Sequence, residues 1–258
     1  MTILNLIYLV IERRCFHGGR NMENLFESVK ENVYVLAIWD STWNSYNNCY
    51  FIVQEDGITL IDSSKEEHSS YLVQALRQIG KTPEDVTLLL ATDGHEDHVQ
   101  RAAIFPNAKK YIHQQERSLI EYPEPDEFDF TLLDRGVIQN FEYFWVGHHT
   151  PGSLAFYHHP SKVLFTGDFL CFFGDPLSKD GLVSVGNDLR HEWLEFLRNG
   201  GVEKDKLNGF LNGLRAMNAF DVEVMCTGHG GVLVGDIKSF ISELLTIGNK
   251  LQEIEVNN

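Results

Sequence analysis

Apolar residues along this chain alternate, then run together, then recur every third or fourth position, and each rhythm marks a different element. Between residues 33 and 62 three runs follow one another, Val-Tyr-Val-Leu-Ala-Ile, Cys-Tyr-Phe-Ile-Val and Gly-Ile-Thr-Leu-Ile-Asp, rich in β-branched and aromatic side chains. Asn47-Asn48 and Asp56-Gly57 punctuate them, so they read as consecutive strands joined by turns. Tyr71, Leu72, Ala75, Leu76 and Ile79 keep helical spacing and stop at Gly80, a normal helix exit. The unbroken apolar run 86–91 then predicts a buried strand. In the second half, segments 109–112, 137–146, 153–157, 163–165 and 222–226 are strand-like, and amphipathic helices are predicted over 188–198 and 206–220. Ile237, Phe240, Ile241, Leu244, Leu245 and Leu251 mark a closing helix. The order fits an α/β fold of two sheets with helices outside them.

The 258 residues and 43% hydrophobic content permit one large domain or two small ones, and no proline-rich or serine-rich linker divides the chain. The expectation is a single domain over 22–258. Residues 1–21 precede the strand-like pattern and read as an N-terminal extension, either upstream of the native start or a loosely attached arm. Their apolar run 3–11 is too short to span a bilayer, and Arg13 and Arg14 follow it where a signal peptide has basic residues in front. That run implies neither export nor a membrane partner, and a formal charge of −16 repels a phosphate backbone, so no nucleic acid is expected as a partner; the expected site is cytoplasmic. Cys15, Cys49, Cys171 and Cys226 show no CxxC pairing, which suits buried thiols in a reducing compartment. A small-molecule substrate is the expected partner, with a homodimer left open.

Chemistry concentrates in Asp93-Gly94-His95-Glu96-Asp97-His98, directly after the run 86–91. Three matching pieces follow: His149 in His-Thr-Pro-Gly-Ser, Asp168 in Leu-Phe-Thr-Gly-Asp and His229 in Thr-Gly-His-Gly-Gly. Together they supply four imidazoles and three carboxylates, an inventory for two divalent cations. Asp93, His95, Asp97 and His98 cannot all point one way from a regular element, so a turn is expected to fan them out. Glycines beside Asp168 and His229 allow close backbone approach. No GxSxG elbow is present, consistent with metal-activated water as nucleophile.

In these residues the chain resembles the metallo-β-lactamase fold superfamily, whose pattern is HxHxDH followed by separate His, Asp and His motifs. The resemblance spans roughly residues 33 to 232, with Asp62 in Leu-Ile-Asp-Ser at the family's early aspartate. It implies an αβ/βα sandwich of two mixed β-sheets flanked by helices, with metals at one edge. It also implies a first ion on Asp93, His95 and His149, a second on Asp97, His98 and His229, and Asp168 between them. The departure is Asp93, where most members have histidine. Two divalent ions, three carboxylates and one hydroxide then sum to formal zero, so Lewis acidity falls and iron or manganese becomes admissible beside zinc. Asp93 is either a ligand or an acceptor that orients a histidine. Asp62 is expected behind a ligand rather than among them.

What the resemblance implies is a metal-dependent hydrolase using a metal-bound hydroxide on a small ester, lactone or thioester, with zinc as first choice and Asp97 as the water-orienting, proton-accepting residue. Two alternatives stand beside it: a non-haem-iron oxidoreductase of the persulfide dioxygenase type, and a catalytically degenerate member serving as a binding module. His148, His113, His158 and His159 are expected in ordinary surface or core roles, and His17, His68 and His191 lack metal-like spacing. The aromatics Trp39, Trp43, Tyr46, Tyr50, Phe169, Phe172 and Phe173 suit either a substrate groove or core.

Overall fold

A computed structural model describes residues 24–118, 120, 127–173 and 181–256, and the extension 1–21 lies outside them. In the first sheet β1 (Leu25–Lys30), β2 (Val33–Asp40), β3 (Ser45–Gln54) and β4 (Gly57–Ile61) form an antiparallel meander. Helix α1 (Ser69–Gln78) crosses over to β5 (Val86–Leu90), and one-turn helices α2 (Glu96–Val99) and α3 (Gln114–Arg117) follow β5 and β6 (Lys109–His113). β5, β6 and β7 (Phe130–Leu132) add in parallel, giving the order β1 to β7.

The second sheet contains β8 (Arg135–Ile138), β9 (Phe141–Trp145), β10 (Leu154–His158), β11 (Val163–Phe165), β12 (Val183–Ser184), β13 (Val224–Cys226) and β14 (Val232–Val234). Its order is β12-β14-β13-β11-β10-β9-β8, antiparallel from β8 to β11 and parallel between β11 and β13. Helices α4 (Asp188–Arg198), α5 (Lys204–Met217) and α6 (Ile237–Val256) cover it. The architecture is the expected sandwich of two mixed seven-stranded sheets flanked by helices. No helix among the described residues is long and apolar enough to cross a membrane.

Alternation assigns each strand residue to a layer. Val33, Val35, Ala37, Tyr50, Ile52, Phe156, Phe165 and Cys226 meet between the sheets. Leu36, Ile38, Cys49, Phe51 and Leu89 turn outward under Leu72, Ala75 and Leu76 of α1. Ala155, Tyr157, Leu164 and Met225 turn outward under α4, α5 and α6. Strands apolar on both faces are what a sheet covered on both sides requires. Gly80, at φ +71°, ends α1, with Lys81 N–H donating to the Leu76 carbonyl across the turn.

The sequence segment 137–146 departs from its single predicted strand. It is a hairpin, β8 and β9, reversed at Gln139, whose φ is +51°. Gln139 lacks the glycine that usually marks such a reversal, so alternation alone carries the pattern straight through. β7, β12 and β14 span two or three residues each, too short for a period to register.

His158, buried on β10, gives a prediction of its own. Gln54 Nε2 donates to its Nε2 at 3.2 Å, so its Nδ1–H must donate to Ser161 Oγ at 2.7 Å. Burial and then the neighbouring His159 push its pKa down to about 4. The unfolded chain binds this proton near pH 6.5 and the folded chain near 4, so folding stability is full above 6.5 and falls as the pH drops toward 4. Urea titrations at pH 7.0 and 4.5 should show that wild type loses about 1–2 kcal/mol more than His158→Gln over this interval. Equal losses would refute the assignment.

Candidate metal centre

The site lies at the carboxyl ends of the central strands, where chain segments leave the sheets and their polar side chains can converge. Asp62 follows β4, Asp93 and His95 follow β5, and His95 opens α2, which carries Asp97 and His98. The predicted turn is therefore half turn and half helix. From the second sheet come His149 after β9, Asp168 in the helical turn Gly167–Phe169 after β11, and His229 after β13. The sheets are stitched together at this edge: Asn48 N–H donates to the Gly228 carbonyl and Gly230 N–H to the Tyr46 carbonyl.

All seven expected residues meet. Donor atoms of Asp93, His95 and His149 lie within 4.8 Å of one another, and so do those of Asp97, His98 and His229. Asp168 reaches both sets, with Oδ2 3.4 Å from His149 Nε2 and Oδ1 3.4 Å from His229 Nε2 and 3.5 Å from His98 Nε2. Asp93 Oδ1 accepts from His95 N–H at 2.9 Å, while its Oδ2 is buried without a hydrogen-bond partner. His98 Nε2 is likewise buried and unpartnered.

Residues behind the cage fix which atoms face inward. His98 Nδ1–H donates to Asp62 Oδ2 at 2.9 Å, so Nε2 presents its lone pair to the centre. Asp62 also accepts from Thr92 N–H at 2.8 Å and Thr92 Oγ1 at 2.9 Å, and its backbone is left-handed at φ +59°. His229 Nδ1–H donates to the Tyr46 carbonyl at 3.1 Å, again turning Nε2 inward. Asn47 Nδ2 donates to Asp97 Oδ2 at 3.3 Å, and Ser64 Oγ donates to Asn47 Oδ1, locking the amide's orientation. Gly167 and Gly228 are required for space: a Cβ on Gly167 would stand 2.5 Å from Thr92 Oγ1, and one on Gly228 2.2 Å from Asp168 Oδ1.

The electrostatics are those of a cluster built around positive charge. Burial opposes ionisation of His98, yet Asp93, Asp62, Asp97 and Asp168 hold its pKa well above the ordinary value. Burial acts the same way on His229, and Asp168 with Asp97 overrides it, raising the pKa to about 10. His95 is raised to about 9, chiefly by its hydrogen bond to Asp93. Burial would lift Asp97 and Asp168 as well, but the imidazoles hold both below the ordinary carboxylate value. Two buried atoms with no hydrogen-bond partner and imidazole nitrogens gathered around three carboxylates make a donor set that divalent cations, displacing the imidazole protons, fit.

Sequence reading did not single out Ser64, Thr92 or Glu116, and it read Asn47-Asn48 as a turn between strands, whereas both lie within β3 and Asn47 reaches Asp97. Nor did it single out Cys171, whose Sγ lies 3.2 Å from Asp168 Oδ1. The aromatics divide. Tyr46 and Tyr50 are core between the sheets, and Phe169 and Phe172 are core under the helices of the second sheet, where Phe169 also borders, with Phe173 and with Trp193 and Phe196 of α4, a small recess beside the cage. His148 is not in the cage; its ring packs against Phe169 and Phe210, and burial pushes its pKa down to about 4.

A two-sheet sandwich with a His/Asp cage where its strands end defines a class of metal-binding proteins. The family model described as metallo-beta-lactamase superfamily matches residues 43–229. The chain belongs to that superfamily. Among curated relatives, the uncharacterized protein YobT of Bacillus subtilis is 33% identical over 78 residues, 29% of this chain and 32% of that protein. The probable metallo-hydrolase YybB, also from Bacillus subtilis, is 26% identical over 167 residues, 57% of this chain and 69% of that protein. Among solved structures, a flavoprotein from Thermotoga maritima superposes with a TM-score of 0.72 at 16% identity, covering 89% of this chain and 62% of that one. The chain thus spans about a third of the first relative and under two thirds of the flavoprotein.

Proposed function

We propose that this protein is a metal-dependent hydrolase acting on a small ester, lactone or thioester. The observation that carries the reading is the apposition of two donor sets with Asp168 facing both, its neighbours Asp93 Oδ2 and His98 Nε2 buried and unpartnered. Two divalent cations bound there would lower the pKa of a water and polarise the substrate carbonyl. Asp93, His95 and His149 would hold one cation, Asp97, His98 and His229 the other, and Asp168 both. Asp97, with Oδ2 held by Asn47, would orient a water that such cations activate and take its proton. The apolar wall formed by Phe169, Phe173, Trp193 and Phe196 beside the donor sets would border the apolar part of the substrate. YybB's description as a probable metallo-hydrolase supports this reading.

A second reading, a non-haem-iron oxidoreductase, is favoured by the carboxylate at position 93 and by the likeness in fold to a flavo di-iron protein from Thermotoga maritima. Elemental analysis of protein purified without added metal, followed by an ester, lactone and thioester panel run with zinc, manganese and iron, separates the two. Two ions per chain with turnover on one substrate class is the expected result. Iron alone, with thiol-dependent oxygen uptake and no hydrolysis, would overturn the hydrolase in favour of the second reading. Absence of both activities, with turnover restored by Asp93→His, would mark a degenerate binding module.

A further inference from the structure

Glu116 lies on α3, outside the cage, and is 1% exposed. Its Oε2 accepts from Gly94 N–H at 2.9 Å and its Oε1 from Gly152 N–H at 2.6 Å. Gly94 stands between Asp93 and His95 on a loop of the first sheet. Gly152 stands three residues after His149 on a loop of the second. One buried carboxylate therefore ties together the two loops that carry the first donor set. We propose that Glu116 is a positioning residue that sets the affinity of the first cation position, the one offered by Asp93, His95 and His149, without acting on the second.

The surrounding glycines fit this role. A Cβ on Gly94 would lie 3.1 Å from Glu116 Oε2, and one on Gly152 would lie 2.8 Å from Glu116 Cγ and 2.4 Å from His113 Nδ1. Each loop reaches the carboxylate closely because it carries no side chain there. The second donor set is held by other groups: Asp97 by Asn47, His98 by Asp62 and His229 by the Tyr46 carbonyl. Apart from Asp168, which faces both sets, and Asp62, which also holds Thr92 N–H beside Asp93, the two positions have their own supports.

The assignment rests on the metal reading above, and the test separates the two. Metal-free full-length protein is titrated calorimetrically with Zn²⁺, and the binding step that His149→Ala abolishes is taken as the first. In Glu116→Gln the amide can accept from one glycine only and sets N–H against N–H at the other. The expected result is a dissociation constant for the first step raised about 10- to 100-fold. The second step should change by less than about twofold. Gly152→Ala, which forces the same bracket open without altering the carboxylate, should reproduce the pattern, and it decides the matter alone if Glu116→Gln does not fold. Two unchanged steps, or two equally weakened ones, in folded variants would overturn the role of Glu116 and leave the hydrolase standing. A wild-type chain that takes up no cation would remove the metal reading and this inference with it.

Discussion

Asp168→Ala is expected to leave a folded protein that holds one divalent ion instead of two and turns over its substrate at least about 100-fold more slowly. Asp168 places separate oxygens within 3.5 Å of imidazoles from both donor sets, so its removal leaves two half-cages facing each other. The remaining carboxylates, Asp93 and Asp97, would then balance less of the charge of two cations so close together. Metal content by elemental analysis and turnover on the substrate found by the panel are the measurements. Retention of two ions with full turnover would show that Asp168 bridges nothing.

Asp62→Ala should be the most destabilising single change at this edge, by about 3–5 kcal/mol in urea unfolding of the metal-free protein. Asp62 never faces the centre, yet it is the partner of fully buried His98 and the acceptor for both Thr92 donors. Burial raises its pKa even against the pull of His98, so the two groups depend on each other for their charge. Alanine strands an imidazole and a backbone N–H away from water. Asp62→Asn keeps an acceptor for one of these donors and should lose distinctly less. Equal losses in the two variants would place the energy in packing instead of in the pair.

What the sequence disclosed follows physical range. β2 to β5 and the helices α1, α4, α5 and α6 were legible because each repeats one period over several residues, and α4 has the predicted bounds. The β8–β9 reversal was illegible because the left-handed φ falls on Gln139, and Asn140 beside it is a single turn-forming residue in an otherwise continuous alternation. The seven cage residues were legible because their side-chain types are rare in such spacing and glycine flanks them. Glu116, Asn47 and Thr92 were not. They act on a backbone amide or one oxygen of a neighbour distant in sequence, and a single polar residue holding a loop leaves no period or motif behind it.

The chain order of the cage has a consequence for synthesis. Asp93 to His98 leave the ribosome well before His229, which reaches its place only when β13 has paired with β11. A nascent chain that has already built its first sheet still lacks the third arm of the second cation position. A cation taken up there would therefore meet its full set of donors only once the second sheet has closed over the first.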